Sequence, residues 1–202
     1  MSVRVCFVGD SFVNGTGDDD GLGWVGRLCA AERRAGADIT VYNLGVRRDT
    51  SADIRERWRR EAEVRLPPGC HGRLVFSFGV NDCALGSSGE APRVEIEAAL
   101  ENARAIVGEA SAWLPTLMIG PLPVTERGAH NERVIALSEG LAGVCAEVGS
   151  PFFSMVAFAA EVQDTWRAEA DRGDGVHPNS QSYAALAEAL RVWPAWRDGF
   201  VA

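Results

Sequence analysis

The chain contains no lysine among its 202 residues. The Gly-Lys-Ser/Thr step of a phosphate-binding loop is therefore missing after the first apolar strand, and that mode of nucleotide binding is disfavoured. No apolar run approaches the roughly 20 residues that a membrane-spanning helix needs. Cysteine is sparse and scattered: Cys6, Cys29, Cys70, Cys83 and Cys145 form neither a disulfide framework nor close metal-binding pairs, and a reducing compartment is expected. Repeats, low-complexity tracts and linkers are lacking. A basic surplus is lacking too: the net charge of -8 argues against nucleic acid or an anionic membrane surface as the main partner. Val3 already opens an apolar strand, which leaves no room for a signal peptide before it, so a cytoplasmic location is expected.

What is present is a large apolar content, 47% of residues, enough for a substantial core in one domain spanning 1–202. Short runs rich in branched and aromatic residues mark buried strands at Val3–Val8, Ile39–Tyr42, Leu74–Phe78, Leu117–Ile119 and Phe152–Phe153. Helix-like stretches lie between and after them, at Trp24–Ala35, Ala52–Val64, Val94–Trp113, Asn131–Val148 and Ser180–Val192. In the third of these, Ile96, Leu100, Ala103 and Val107 recur at helical spacing. Alternation of this kind predicts an α/β fold, a three-layer α/β/α sandwich on a parallel sheet. Ligands of such sheets bind beyond the carboxyl ends of the strands, where Ser11, Gly45, Asn81 and the segment after Pro121 would gather.

Two segments carry chemistry. The first strand runs into Gly9-Asp10-Ser11-Phe12, and the chain nears its end with Asp174-Gly175-Val176-His177-Pro178-Asn179. A serine hydroxyl is a poor nucleophile near pH 7 until a base accepts its proton, and that base needs a third group to hold its ring. Asp174 precedes His177 by one turn of backbone, so the carboxylate can meet one ring nitrogen while the other faces Ser11. Acyl transfer also needs donors aimed at the developing oxyanion. The Ser11 N–H, a backbone N–H at Gly45 and the Asn81 side-chain amide are candidates.

The blocks Gly9-Asp10-Ser11-Phe12, Asn43-Leu44-Gly45, Gly79-Val80-Asn81-Asp82 and Asp174-Gly175-Val176-His177-Pro178 resemble, in order, the four blocks of the SGNH, or GDSL-type, hydrolases. The resemblance implies that Ser11 attacks the carbonyl, His177 is general base and then general acid, and Asp174 orients it. It implies an oxyanion hole from the N–H groups of Ser11 and Gly45 with the Asn81 side chain. It also implies a flavodoxin-like fold of five parallel strands, in agreement with the independent strand count. Phe12 stands where the family name has leucine, an apolar exchange. The turn at Ser11 lacks the second glycine of an α/β-hydrolase nucleophile elbow, which favours the SGNH reading.

The expected activity is hydrolysis of carboxylic esters of short acyl or acetyl groups, with a small-molecule ester as partner and no metal or organic cofactor. An acyl thioesterase or a carbohydrate O-deacetylase would use the same site, and a catalytically idle module binding acylated ligands is the non-enzyme alternative. Asp10 and Asp82 are read as structural, Asp18-Asp19-Asp20 as a solvated loop, and Cys83 as a small buried hydrophobe. Neither His71 nor His130 sits in a motif that would place it beside Ser11. Arg47 and Arg48 are either solvated loop residues or partners for an anionic substrate group. Trp24 either lines the acyl pocket or anchors the first helix on the sheet, the second being the favoured reading. Trp193, Trp196 and Phe200 make an aromatic tail that packs on the domain or on a second copy, a homo-oligomer.

Overall fold

Strand β1 (Val3–Gly9) buries both faces. Val3, Val5 and Phe7 join one apolar cluster, while Cys6 and Val8 join another. A strand covered on both sides belongs at the centre of a parallel sheet. In the computed structural model, which describes residues 2–124 and 128–200, it lies between β2 (Ile39–Gly45) and β3 (His71–Ser77), parallel to each. β4 (Thr116–Ile119) and β5 (Phe152–Phe153) extend the sheet on the β3 side. The order β2-β1-β3-β4-β5 is the flavodoxin-like one, with the direction of winding reversing between β1 and β3.

The two clusters are the two seams between layers. On one face, Trp24 and Leu28 of α2 (Gly23–Arg34), Phe158 and Trp166 of α6 (Met155–Arg172), and Leu186 and Leu190 of α7 (Ser180–Val192) pack against β1, β3 and β4. On the other, Ile54 and Trp58 of α3 (Ser51–Glu63), Ile106 of α4 (Ile96–Trp113), and Leu141 of α5 (Gly128–Val148) do so. The expected three-layer α/β/α arrangement is therefore present. Trp24 lies against Phe7 edge to face, ring centroids 5.6 Å apart, so it does anchor its helix on the sheet. Among the described residues, no helix is long and apolar enough to cross a membrane.

Two elements depart from the sequence expectations, and a third takes one of the two courses expected of it. β2 runs to Gly45, so Asn43, Leu44 and Gly45 are its last residues, paired with Phe7, Val8 and Gly9, rather than a loop after it. An unexpected helix, α6, follows β5; Met155, Phe158, Val162 and Trp166 form its inward stripe. The aromatic tail folds onto its own chain: α8 (Pro194–Arg197) puts Trp196 beside Phe7, Trp193 sits against Phe153, and the Phe200 carbonyl accepts a hydrogen bond from Arg73 Nε at 2.9 Å. Those rings find apolar cover within the chain, which removes the reason for expecting a second copy there.

Gly9 ends β1 where backbone crowds backbone: a Cβ would come 2.0 Å from the Ser77 carbonyl oxygen and 2.5 Å from Val13 Cγ2. Gly108, inside α4, would place a Cβ in ordinary contact with Val148 at 3.9 Å. Gly9→Ala is therefore expected to lower the unfolding free energy by about 1–3 kcal/mol. Gly108→Ala should raise it by about 0.5–1 kcal/mol through helix propensity. Urea unfolding of the two variants beside the parent checks both signs.

Candidate active site

β1 stops at Gly9, and Asp10 caps α1 (Ser11–Asn14) by accepting the Phe12 N–H at 2.9 Å. Ser11 is thus the first residue of α1, with an N–H that the helix itself cannot satisfy. The turn closes at Gly15, whose φ of 86° is the left-handed conformation suited to glycine. Gly45 permits α1 to lie close to the end of β2, since a Cβ there would be 2.2 Å from the Asn14 nitrogen.

His177 comes from the loop between α6 and α7, which is pinned from several directions. Asn179 caps α7, and the buried Glu169 carboxylate accepts the N–H groups of Asn179, Gln181 and Ser182 at 2.9, 3.1 and 3.0 Å. Asp18 accepts from Leu22 N–H, Gly23 N–H, the Arg27 guanidinium and Ser180 Oγ, joining the start of α2 to the start of α7. Asp18 is therefore a buried clasp rather than part of a solvated loop, whereas Asp19 and Asp20 are exposed as expected. Gly17 lies so near that a Cβ would come 2.8 Å from His177 Cβ. The Phe12 ring covers the imidazole, centroids 5.0 Å apart.

Held in this way, His177 Nε2 lies 2.8 Å from Ser11 Oγ, and Nδ1 lies 2.7 Å from Asp174 Oδ2. An ionised carboxylate can only accept, so Nδ1 carries the proton and Nε2 is left to accept from the serine hydroxyl. Asp174 Oδ1 accepts the N–H groups of Val176 and His177 at 3.0 and 2.9 Å. Partial burial alone would push its carboxyl up; the His177 and Val176 hydrogen bonds and the imidazole outweigh that and hold it at about 2. Asp174 is thus ionised throughout the working range of a histidine base.

Asn81 lines the same cleft of about 400 Å³ as Ser11 and His177. Its amide donates to the Asp49 carbonyl at 2.9 Å and more distantly to Asp10 Oδ2 at 3.4 Å. The Gly45 N–H donates to Asn43 Oδ1 at 3.0 Å. The first contact orients Asn81; the second gives the Gly45 N–H an acceptor that an oxyanion would have to displace. Asp10 is wholly enclosed: burial, reinforced by the negative charges of Asp82 and Asp49, raises its carboxyl to about 7 against the pull of the Phe12 N–H. Asp82, also raised by burial, accepts the Ser51 N–H and hydroxyl at the start of α3.

Of the remaining candidates, His130 lines the cleft, contrary to expectation, with Nδ1 3.2 Å from the Cys83 carbonyl oxygen. His71 opens β3 at the opposite end of the sheet. Burial pushes the Cys83 thiol up to about 12, which makes it inert as a nucleophile. Arg47 and Arg48 line the cleft together with Arg93, which was not anticipated. Also unanticipated are Glu169, Asp49 and Arg57. Arg57 binds Asp49 Oδ2 at 2.6 Å and the Gly9 carbonyl at 2.9 Å. Their sequence neighbourhoods carry no motif, although the helical stripe of α6 could have drawn attention to Glu169.

The sequence model of the GDSL-like Lipase/Acylhydrolase family matches residues 7–185. No curated protein is matched. Among solved structures, the acetylxylan esterase Axe2 from Geobacillus stearothermophilus is similar at TM-score 0.79 and 20% identity, over 98% of this chain and 96% of that one. A lipase/acylhydrolase from Enterococcus faecalis is similar at TM-score 0.79 and 20% identity, over 98% and 97%. At that identity the two structures speak for the fold.

The enclosure of Asp10 has a pH consequence. A carboxyl raised to about 7 in the folded state, against about 3.9 unfolded, favours the native state while protonated. Stability from this group is therefore lost as pH rises from about 4 to about 7, by on the order of a few kcal/mol. Asp10→Asn keeps an oxygen for the Phe12 N–H and removes the titration. The stability of the variant relative to the parent should climb across that window and level off above it. A difference that stays flat in urea titrations from pH 4 to 8 would contradict the burial argument.

Proposed function

The chain belongs to the GDSL-like lipase/acylhydrolase family, a family of carboxylic ester hydrolases, and from that premise we propose that Ser11, His177 and Asp174 are its catalytic triad. The carrying observation is the relay from Ser11 Oγ through His177 to Asp174, at 2.8 and 2.7 Å. As the Ser11 oxygen attacks the ester carbonyl, Nε2 takes its proton and Asp174 stabilises the resulting imidazolium. The protonated Nε2 then passes that proton to the leaving alkoxide, and the acyl group remains on Ser11. Water, deprotonated by Nε2, releases the acid by the reverse sequence.

The oxyanion would be met by the Ser11 N–H and the Asn81 amide, whose long contact to Asp10 at 3.4 Å is the one most easily exchanged. Gly45 would join them by exchanging its Asn43 acceptor. The substrate we assign is a small-molecule ester with a short acyl group, acetyl in the first instance. The acetylxylan esterase among the structural neighbours supports an acetyl ester.

Hydrolysis of p-nitrophenyl esters from acetate to long-chain acyl tests this reading. Turnover should fall as the acyl chain lengthens. Ser11→Ala should lose at least about a thousandfold in kcat, together with labelling by a fluorophosphonate. Asn81→Ala should keep the labelling site but lose about a hundredfold or more in kcat. Undiminished turnover in a folded Ser11→Ala variant overturns the assignment, and equal rates across the series overturn the short-acyl preference.

A further inference from the structure

We propose that the cleft takes an ester bearing an anionic group, a carboxylate or a phosphate, held by Arg47, Arg48 and Arg93; this rests on Ser11 being the nucleophile of that cleft. The chain as a whole carries a charge of -8. Around Ser11 the sign reverses, for the cleft is lined by three guanidinium groups and a single carboxylate, Asp174, which is engaged by His177. Such a local reversal attracts and orients an anion that the rest of the surface repels.

The backbone at Arg48 is the strongest indication. Val46 to Asp49 form a turn closed by the Asp49 N–H on the Val46 carbonyl at 3.2 Å. Its third residue, Arg48, has a φ of 76°, the one non-glycine residue with positive φ among those described. Glycine or asparagine would take that conformation at less cost. The strained turn is held from outside: Arg93 Nη1 donates to the Arg48 carbonyl at 2.7 Å. Among the described residues the exposed Arg48 guanidinium has no hydrogen-bond or ion-pair partner. A cation kept without a partner at the rim of the cleft, on backbone better suited to glycine, fits a role toward a ligand.

The other two arginines have donors to spare. Arg47 uses one contact, Nη2 to Asp174 Oδ2 at 3.3 Å, and Arg93 Nη2 stands 3.9 Å from Asp53. Each guanidinium offers five N–H donors, so both retain capacity for a carboxylate or phosphate. Arg93 reaches the cleft from the segment before α4, far in sequence from the turn it braces.

The test compares matched esters with the intact chain at low ionic strength. Phenyl acetate is set against 4-acetoxybenzoate and 4-acetoxyphenyl phosphate, and p-nitrophenyl butyrate against p-nitrophenyl hemisuccinate, so that carboxylate, phosphate and acyl-side anions are separated. At least one anionic ester should exceed its neutral counterpart in kcat/KM, and 0.5 M salt should shrink the ratio. Arg48→Gly, which suits the turn and should melt no lower than the parent, is expected to cut the ratio about tenfold. Serine-dependent turnover without an anionic preference, or a preference that survives both Arg48→Gly and Arg93→Gln, overturns the proposal alone. Turnover that survives Ser11→Ala overturns the nucleophile reading and the proposal with it.

Discussion

The carbonyl oxygen of Gly9 ties the carboxyl ends of the strands into one surface. It accepts the Val46 N–H just beyond β2 and the Arg57 guanidinium from α3, each at 2.9 Å. The same guanidinium binds the Asp49 carboxylate, and the Asp49 carbonyl holds the Asn81 amide beyond β3. One residue after Gly9, the chain turns into α1 and presents Ser11. Bonding at this single carbonyl therefore sets the relation between the hydroxyl at one strand end and the amide at another. The reversal of winding between β1 and β3 opens a crevice at that point, and the packed sheet beneath it gives the crevice a floor that cannot drift.

Carboxylates organise the loops around that floor, each by accepting backbone N–H groups that would otherwise lie buried without partners. Asp10 does so for α1, Asp82 for α3, Asp18 for α2 and Glu169 for α7. Burial makes two of them, Asp10 and Asp82, hard to ionise, whereas Asp174 at the rim stays charged because hydrogen bonds from the His177 loop converge on it. The difference is one of solvation and partners rather than of residue type. It leaves a charged acid beside the imidazole and one that is hard to ionise at the residue before Ser11.

Much of this was legible in the chain. The near-continuous apolar run of β1 and the alternation of such runs with helical stripes point to a parallel α/β sheet because strands buried on both faces have few other compositions. Ser11, Asn81 and the Asp174–His177 pair stand in short local patterns, and local patterns survive translation into structure. The failures were non-local. Asp18 reads as a solvated run of acids until Arg27 and Ser180 close on it. His130 has no motif, yet α5 delivers it to the cleft. For the aromatic tail the sequence left two courses open, and contact with Phe7 and Phe153 selects packing on the domain.

By itself, then, the sequence determined the layer architecture, the family and the set of residues able to carry acyl chemistry, since strand and helix periodicity and the three-residue spacing of acid and base act over a few residues. Tertiary structure alone decided which ring nitrogen faces the serine, which amide donors already have acceptors, and which arginines share its cleft. Those are matters of distance between segments far apart in the chain, and only the register of β1 between β2 and β3, with the loops clamped above it, sets such distances.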